Sequence, residues 1–545
     1  VSQFGVGPGT SGQQGAAPEA QGASRDAWPG HGALFGAAPA VEILSSETGV
    51  ALSPRRRRRT ALVAGVAAVA VIAAGGAAVA AFNAFNGGGA QPEDVLPAST
   101  IAFVKVDLDP SAGQKIELYK LLQKFPRSAQ LQGTDTDFGG WLVRRLLESG
   151  SGSSTLSYAA DVQPWLGQRF AVATVPSSTV PGTVDDLVVL QESDDTAAAA
   201  ALEKIRHASS SRGFDYAFAD GYVVVSPQSP GAAHRAVAAA SSSPLGQSSQ
   251  YLSDVAGLGS DEVITGWADA TAERALVNRQ LASRAGASGA VGLLGGAGGL
   301  GALVDSAYQG RFVLGVHAAD GSIEIQAASL GGGISPAVSP VRGIDHVARG
   351  AVGVVAISGV DARLAAGWKQ LAANPVYANL FRQLHQNVGL DIPGDLQKLL
   401  GSEVDLSVGG DLSHAPVVVA ASTSGDPAAA KAVFDKILHG MGARAPVLGE
   451  SVAGGVFYVG STQNAVDAAG TGQAISANPL YSQAVADPAG AQLVGFVDLT
   501  KIWADLGSKV LTSATQQEAE HLAAVGLSVH QSGADTSVVL RIVLR

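Results

Sequence analysis

Two aspartates stand two residues apart in Val106-Asp107-Leu108-Asp109-Pro110. Asp107 and Asp109 are candidate ligands for a hard cation, but calcium takes about six to eight oxygens and no further acid lies close in sequence. Capping is the competing reading. Asp109 would accept amide hydrogens at a helix N-terminus, with Pro110 presetting the first helical φ. Asp269, Asp361 and Asp498 also follow short apolar runs and precede helical patterns, and a recurring strand–Asp–helix junction favours the structural reading. His207, His385 and His439 fall in polar helical contexts and read as solvent-facing, and no H-E-x-x-H spacing exists. Gly296-Ala297-Gly298-Gly299-Leu300-Gly301 matches G-x-G-x-x-G, but residues 284–294 upstream lack the strand that a phosphate loop requires. Residues 290–304 read instead as a Gly/Ala insertion or a buried helix. With no Cys in the chain, disulfides, thiol catalysis and Cys-ligated metals are excluded. Trp141, Trp165, Trp267, Trp368 and Trp503 sit in apolar patterns and read as core. The residues therefore assign no catalytic group, cofactor or metal.

The elements that must position these side chains begin with a membrane segment. Residues 1–60 are rich in Gly, Ala, Pro, Gln and Ser, and read as a disordered tail. A short apolar cluster, Val41-Glu42-Ile43-Leu44, interrupts it. The tail ends in five consecutive arginines, Arg55 to Arg59, followed from Ala61 to Phe82 by 22 residues without a charged or hydrogen-bonding side chain. As a helix this run is about 33 Å long, enough to cross a hydrocarbon core of about 30 Å. Arginines on the N-terminal flank alone place the tail in the cytoplasm and the remainder outside. The Ala78-Val79-Ala80 pattern leaves cleavage as the alternative to an uncleaved anchor. Residues 1–60 hold six Arg against four acids, whereas the remaining 29 basic and 42 acidic residues leave a net charge of −13. Such an ectodomain repels phosphate backbones, so no nucleic-acid partner is expected.

Self-comparison shows ordered correspondences at an offset of 229 to 234 residues. Asp161-Val162-Gln163-Pro164-Trp165-Leu166-Gly167 parallels Asp395-Leu396-Gln397-Lys398-Leu399-Leu400-Gly401. Leu187-Val188-Val189-Leu190 parallels Pro416-Val417-Val418-Val419, and Gly221-Tyr222-Val223-Val224-Val225 parallels Gly455-Val456-Phe457-Tyr458-Val459. Gly266-Trp267-Ala268-Asp269 parallels Gly495-Phe496-Val497-Asp498. The pattern predicts an α+β fold of two tandem homologous modules, 92–332 and 345–545, after a linker at 83–91 and joined by a linker at 333–344. Alternation in Ile323, Ile325 and Ala327, after the turn signal Ala319-Asp320-Gly321, predicts largely antiparallel sheets with helices on one face and one wet face.

The stretch from Leu96 through Asp107-Leu108-Asp109-Pro110 to Lys124-Phe125-Pro126 resembles the opening of an actinobacterial membrane-anchored family known as domain-of-unknown-function family three-three-five-two. The resemblance implies an envelope protein and supplies no catalytic residues.

Together these readings predict a single-pass plasma-membrane protein, bound to the bilayer through residues 61–82, with its modules outside the cell. A non-enzymatic binding or scaffolding role in the cell envelope leads, with an envelope protein, glycan or lipid as ligand. A carrier of lipid or another apolar envelope component is one alternative. An envelope hydrolase is the other, and it should show a buried, perturbed His or carboxylate cluster.

Overall fold

The computed structural model describes residues 89–122, 157–208, 213–227, 229–259, 262–272, 310–319, 321–332, 338–373, 375–510 and 519–545. All belong to one compact unit, Val63–Arg545. The unit Val1–Leu62, the Arg55–Arg59 flank, and the apolar run with its end residues Ala61 and Phe82 lie outside the described residues, as do Trp141 and the Gly-rich run at 290–304. Among the described residues no helix is long and apolar enough to cross a membrane.

Alternating β-branched segments make up the first half of the sheet. Its strands are β1 (Ala102–Asp107), β2 (Leu166–Pro176), β3 (Val184–Glu192), β4 (Asp215–Ala219), β5 (Tyr222–Ser226), β6 (Ile264–Asp269), β7 (Arg311–Ala319) and β8 (Ser322–Leu330). The second half comprises β9 (Gly353–Ser358), β10 (Glu403–Asp411), β11 (Ala415–Thr423), β12 (Gly449–Ala453), β13 (Val456–Gly460), β14 (Leu493–Asp498), β15 (Leu522–Ser532) and β16 (Asp535–Leu544). Every pairing between them is antiparallel. Read from the β4 edge inward, the first half runs β4-β5-β3-β2-β1-β6-β7-β8. From the opposite edge the second half runs β12-β13-β11-β10-β9-β14-β15-β16, which is the same order shifted by eight strands.

Where the sequence leads one to expect two separate sheets, the chain forms one continuous sheet of 16 strands. The last strand of each half supplies the join, with β8 and β16 pairing from Ser322↔Val543 to Ser329↔Thr536. The physical reason is that each half would otherwise leave a nine- or ten-residue strand edge with unpaired amides and carbonyls. Ala319 closes its hairpin opposite Ser322, and Ser532 closes the matching one opposite Asp535. Aligning the two hairpins places Gln326 across from its own counterpart, Val539. The segment expected as a linker is packed where it is described. Val341 N–H donates to the Ala491 carbonyl at 2.7 Å, and Ser358 Oγ donates to the Ser339 carbonyl at 2.6 Å.

Helices cover both faces of the sheet, not one. In the first half α1 (Ala112–Leu122), α2 (Asp195–Ala208), α3 (Ala232–Ala240) and α4 (Ser249–Val255) flank the strands. Phe103, Leu187, Tyr222 and Val224 pack against Ala233 and Ala236 of α3 and Tyr251 of α4. Residues of opposite parity point the other way. Val106 and Phe170 meet Leu118 and Leu121 of α1, while Val223 and Val225 meet Ala198 and Leu202 of α2. This explains why all five residues of β5 are buried, a pattern that a sheet with one wet face cannot produce. The second half adds α5 (Val360–Ala373), α6 (Pro375–Val388), α7 (Gly394–Leu400), α8 (Pro427–Met441), α9 (Gln463–Thr471), α10 (Pro479–Ala484) and α11 (Leu499–Val510). Tyr458 packs with Val466 of α9, whereas Phe457, one residue earlier, meets Phe434 of α8 at 5.7 Å.

Candidate functional site

Asp107 and Asp109 come together, and what lies between them is an arginine. Strand pairing sets Asp107 opposite Arg169. The Arg169 Nε donates to Asp107 Oδ2 at 3.0 Å, and its Nη2 lies 3.6 Å from Asp109 Oδ2. Arg169 is only 2% exposed. Burial works against its charge, but Asp107, Tyr222 and Asp109 outweigh burial and hold its pKa above the usual guanidinium value. The guanidinium thus fills the position that a metal cation would take. Asp107 Oδ1 also accepts the Asp109 amide at 2.8 Å. Asp109 is not the helix cap: α1 begins at Ala112, and Ser111 Oγ accepts the Gln114 amide at 3.4 Å. Two of the other three junctions behave as caps. Asp269 accepts the Ala272 amide at 2.9 Å and Asp498 the Lys501 amide at 3.3 Å, while Asp361 accepts from Ala362 inside the first turn of α5.

A second polar knot lies on the same face. Lys105 Nζ donates to Glu93 Oε1 at 2.7 Å, and the Tyr251 hydroxyl donates to the same oxygen at 3.2 Å. Burial first, then the charge of Glu93, pushes the Tyr251 phenol far up, so it is a fixed donor and not a proton source. Trp267 Nε1 and Arg311 Nε converge on buried Asp254 at 2.9 and 2.7 Å. Trp165 is also buried, and Trp368 packs on Phe381 at 4.7 Å. His207, His385 and His439 are exposed.

The most perturbed pair is one that sequence reasoning did not single out. Glu403 and Asp405 alternate onto one face of β10, and by strand order Glu403 occupies in the second half the place Arg169 occupies in the first. They are 5% and 1% exposed. Glu403 accepts the amides of Arg342, at 2.9 Å, and Gly343. Neither oxygen of Asp405 has a donor partner. Burial first, then repulsion from Glu403 and a hydrogen bond to it, pushes the Asp405 carboxyl up to about 8. The raised Asp405 carboxyl favours its acid form, whose own proton is a donor that the surrounding backbone does not supply. Burial and then Asp405 also raise the nearby Tyr458 phenol, whose ring meets His346 edge-on at 6.3 Å. The sequence signal was Glu-x-Asp with carboxylates at both inward positions of a strand, where apolar residues belong. No group of three or more His, Asp or Glu among the described residues has metal-binding geometry.

Comparison with known proteins adds one match. Residues 63–232 match the model of the family described as protein of unknown function, DUF3352. This segment belongs to that family. The DUF3352 stretch contains Asp107, Asp109, Arg169 and the β4–β5 hairpin, and stops before Glu403 and Asp405. Neither a curated protein nor a solved structure matches the chain.

Proposed function

We propose that the chain is a non-enzymatic binding scaffold of the cell envelope, anchored by residues 61–82 and presenting a duplicated ectodomain. The observation that carries this reading is the strand order. The same eight-strand sequence of neighbours occurs twice and meets edge to edge, with Gln326 opposite Val539. A duplication of one module explains that arrangement together with the ordered sequence offsets. It yields a broad sheet paired across its join, while buried Glu93, Arg169 and Asp254 of its first half are held in ion pairs within that half. Five arginines beside an uncharged run of 22 residues support the anchor and the cytoplasmic tail.

A second reading, an envelope hydrolase, is favoured by one observation, the Glu403–Asp405 pair. An acid and a carboxylate in contact are the parts of a general acid–base pair, yet both are closed beneath the Arg342–Gly343 backbone. The test has two arms. Photo-cross-linking from surface positions of the full chain in membranes should capture a discrete envelope partner. Hydrolysis of ester, glycoside or phosphate substrates that is lost in Asp405→Asn, with folding retained, would overturn the scaffold reading. Lipid recovered stoichiometrically from the purified protein would move the assignment to a carrier. Protease added to intact spheroplasts should remove residues beyond about 90 and spare the tail.

A further inference from the structure

A continuous sheet ends in two free edges, and here the two edges are built differently. In both halves the edge strand closes through a two-residue turn with positive φ at both positions, Asp220-Gly221 and Gly454-Gly455. The closing pairs are Ala219↔Tyr222 and Ala453↔Val456. Antiparallel pairs alternate between bonded and non-bonded, and a two-residue loop closes on a bonded pair. Counting back, the amides and carbonyls of Glu450 and Val452 point away from β13, and those of Tyr216 and Phe218 point away from β5. Glu450 follows that rule: its amide donates to Gln463 Oε1 at 3.2 Å, and Gln463 Nε2 donates to its carbonyl at 3.3 Å. The carboxamide of Gln463 thus stands in for one peptide unit of an added strand.

Among the described residues edge β4 has no such cover. No side chain among the described residues bonds the backbone of Tyr216 or Phe218. Its sequence, Asp-Tyr-Ala-Phe-Ala, carries neither the proline nor the lysine with which exposed edges are commonly guarded. Beside it runs α3, and between strand and helix lies an open pocket of about 410 Å³ lined by Tyr216, Phe218, His234, Val237, Ala238 and Ser241. The helix residues recur at i, i+3, i+4 and i+7 and so form one face. At the start of that face His234 is held by its Nδ1, 2.9 Å from Asp215 Oδ1, while Asp215 Oδ2 accepts the amides of Ala233 and His234. The second ring nitrogen is left for a partner, and the ring is 67% exposed.

We propose that the groove between β4 and α3 binds an extended peptide of a partner protein by strand addition. The peptide supplies backbone bonds to Tyr216 and Phe218, an apolar side chain over Val237 and Ala238, and an acidic side chain opposite His234. Charge complementarity selects the acid, because a peptide carboxylate opposite the second ring nitrogen of His234 can accept its N–H whenever the ring carries both protons. Strand addition between an edge strand and a flanking helix is a recurrent recognition mode. The inference rests on the scaffold reading and deepens it by giving the partner a chemistry.

The probe is an acetylated octapeptide, Val-Thr-Glu-Thr-Val-Thr-Glu-Thr, whose valines and glutamates share one face of a strand, titrated against the full chain in detergent. Saturable binding is expected, with slowed hydrogen exchange confined to the Tyr216 and Phe218 amides in the edge strand. Ala238→Arg, which fills the groove from an exposed helix position, should weaken binding at least tenfold without shifting the melting temperature. Ala239→Arg, on the far side of the helix, should leave binding unchanged. Binding that survives Ala238→Arg, binding without protection at residues 216 and 218, or no binding at millimolar peptide overturns the proposal. A dimer that forms through β4 without peptide also overturns it and assigns the edge to a second copy. Partner capture elsewhere on the sheet with this groove inert would leave the scaffold reading standing while removing this site from it.

Discussion

Replacing Asp405 with asparagine isolates the shared proton in the second half. Asp405 is 1% exposed and its carboxyl is pushed up to about 8, first by burial and then by Glu403. An unfolded aspartate titrates near 3.9, so the folded chain binds this proton more tightly than the unfolded chain. Stability from this group is therefore complete below the unfolded value. It is lost as pH rises through the window toward about 8 and is level above it. A difference of about four pH units, at about 1.4 kcal/mol each, sets an upper limit on the order of 5 kcal/mol. Water entry and relaxation reduce that to a few kcal/mol, still a large part of a stability of about 5–15 kcal/mol. Asparagine keeps the shape, supplies a permanent donor to Glu403 and has no proton to lose.

Urea unfolding of both proteins between pH 5 and 9 is the assay, with hydrogen exchange at Arg342 and Gly343 as the local readout, since their amides bond Glu403. The wild-type curve should fall across this range while Asp405→Asn stays flatter, becoming the more stable protein by a few kcal/mol near pH 8.5. In wild type alone, exchange at Arg342 and Gly343 should accelerate beyond the intrinsic pH effect. Parallel stability curves, or an asparagine variant that is less stable at every pH, would refute the shared proton.

Arg169→Met leaves Asp107 and Asp109 without their buried counter-charge and should cost about 3–5 kcal/mol, read as a urea midpoint; a loss below about 1 kcal/mol would mean water already screens the cluster. At the join, Arg541 Nε donates to Glu324 Oε2 at 2.8 Å, and Glu324 is 6% exposed. Arg541→Ala should therefore speed exchange of the β8 and β16 amides selectively, and uniform protection would show that the ladder alone holds the halves together. Gly310 has a φ of +95°, and a side chain there would run into the Leu330 carbonyl. Gly310→Ala should lower stability by about 1–3 kcal/mol, whereas an unchanged melting temperature would contradict that geometry.

Much of the sheet was legible because β-rich apolar runs and turn signals coincide with its strands and turns. Leu187-Val188-Val189-Leu190 and Pro416-Val417-Val418-Val419 fall in β3 and β11, and the Ala319-Asp320-Gly321 signal marks the β7–β8 turn. The single wet face was misread because it was argued from β8, a strand beside the join. Tyr222-Val223-Val224-Val225 carried the opposite message, an unbroken apolar run covered on both sides. The edge-to-edge join was not legible, since pairing between residues more than 200 apart leaves no local signature. Asp109 shows a different limit. Its position before Pro110 suits a cap, but the residue that decides its role, Arg169, lies 60 positions away in a neighbouring strand.

On the proposed duplication, the two halves record what was free to change. Arg169 in the first half and Glu403 in the second occupy equivalent inward positions, each almost wholly buried. One is neutralised by two aspartates; the other accepts two backbone amides and faces a protonated aspartate. Opposite charges at one position of one fold mean that the position demands satisfaction of a buried polar group and not a particular ion. The edges diverged in the other sense: Gln463 closes β12, while β4 keeps its outward amides for another chain. Buried differences that are each locally compensated are compatible with drift. Among the described residues β4 carries no such compensation, and an unguarded edge has a standing aggregation cost, so the difference between the two edges is the stronger mark of use.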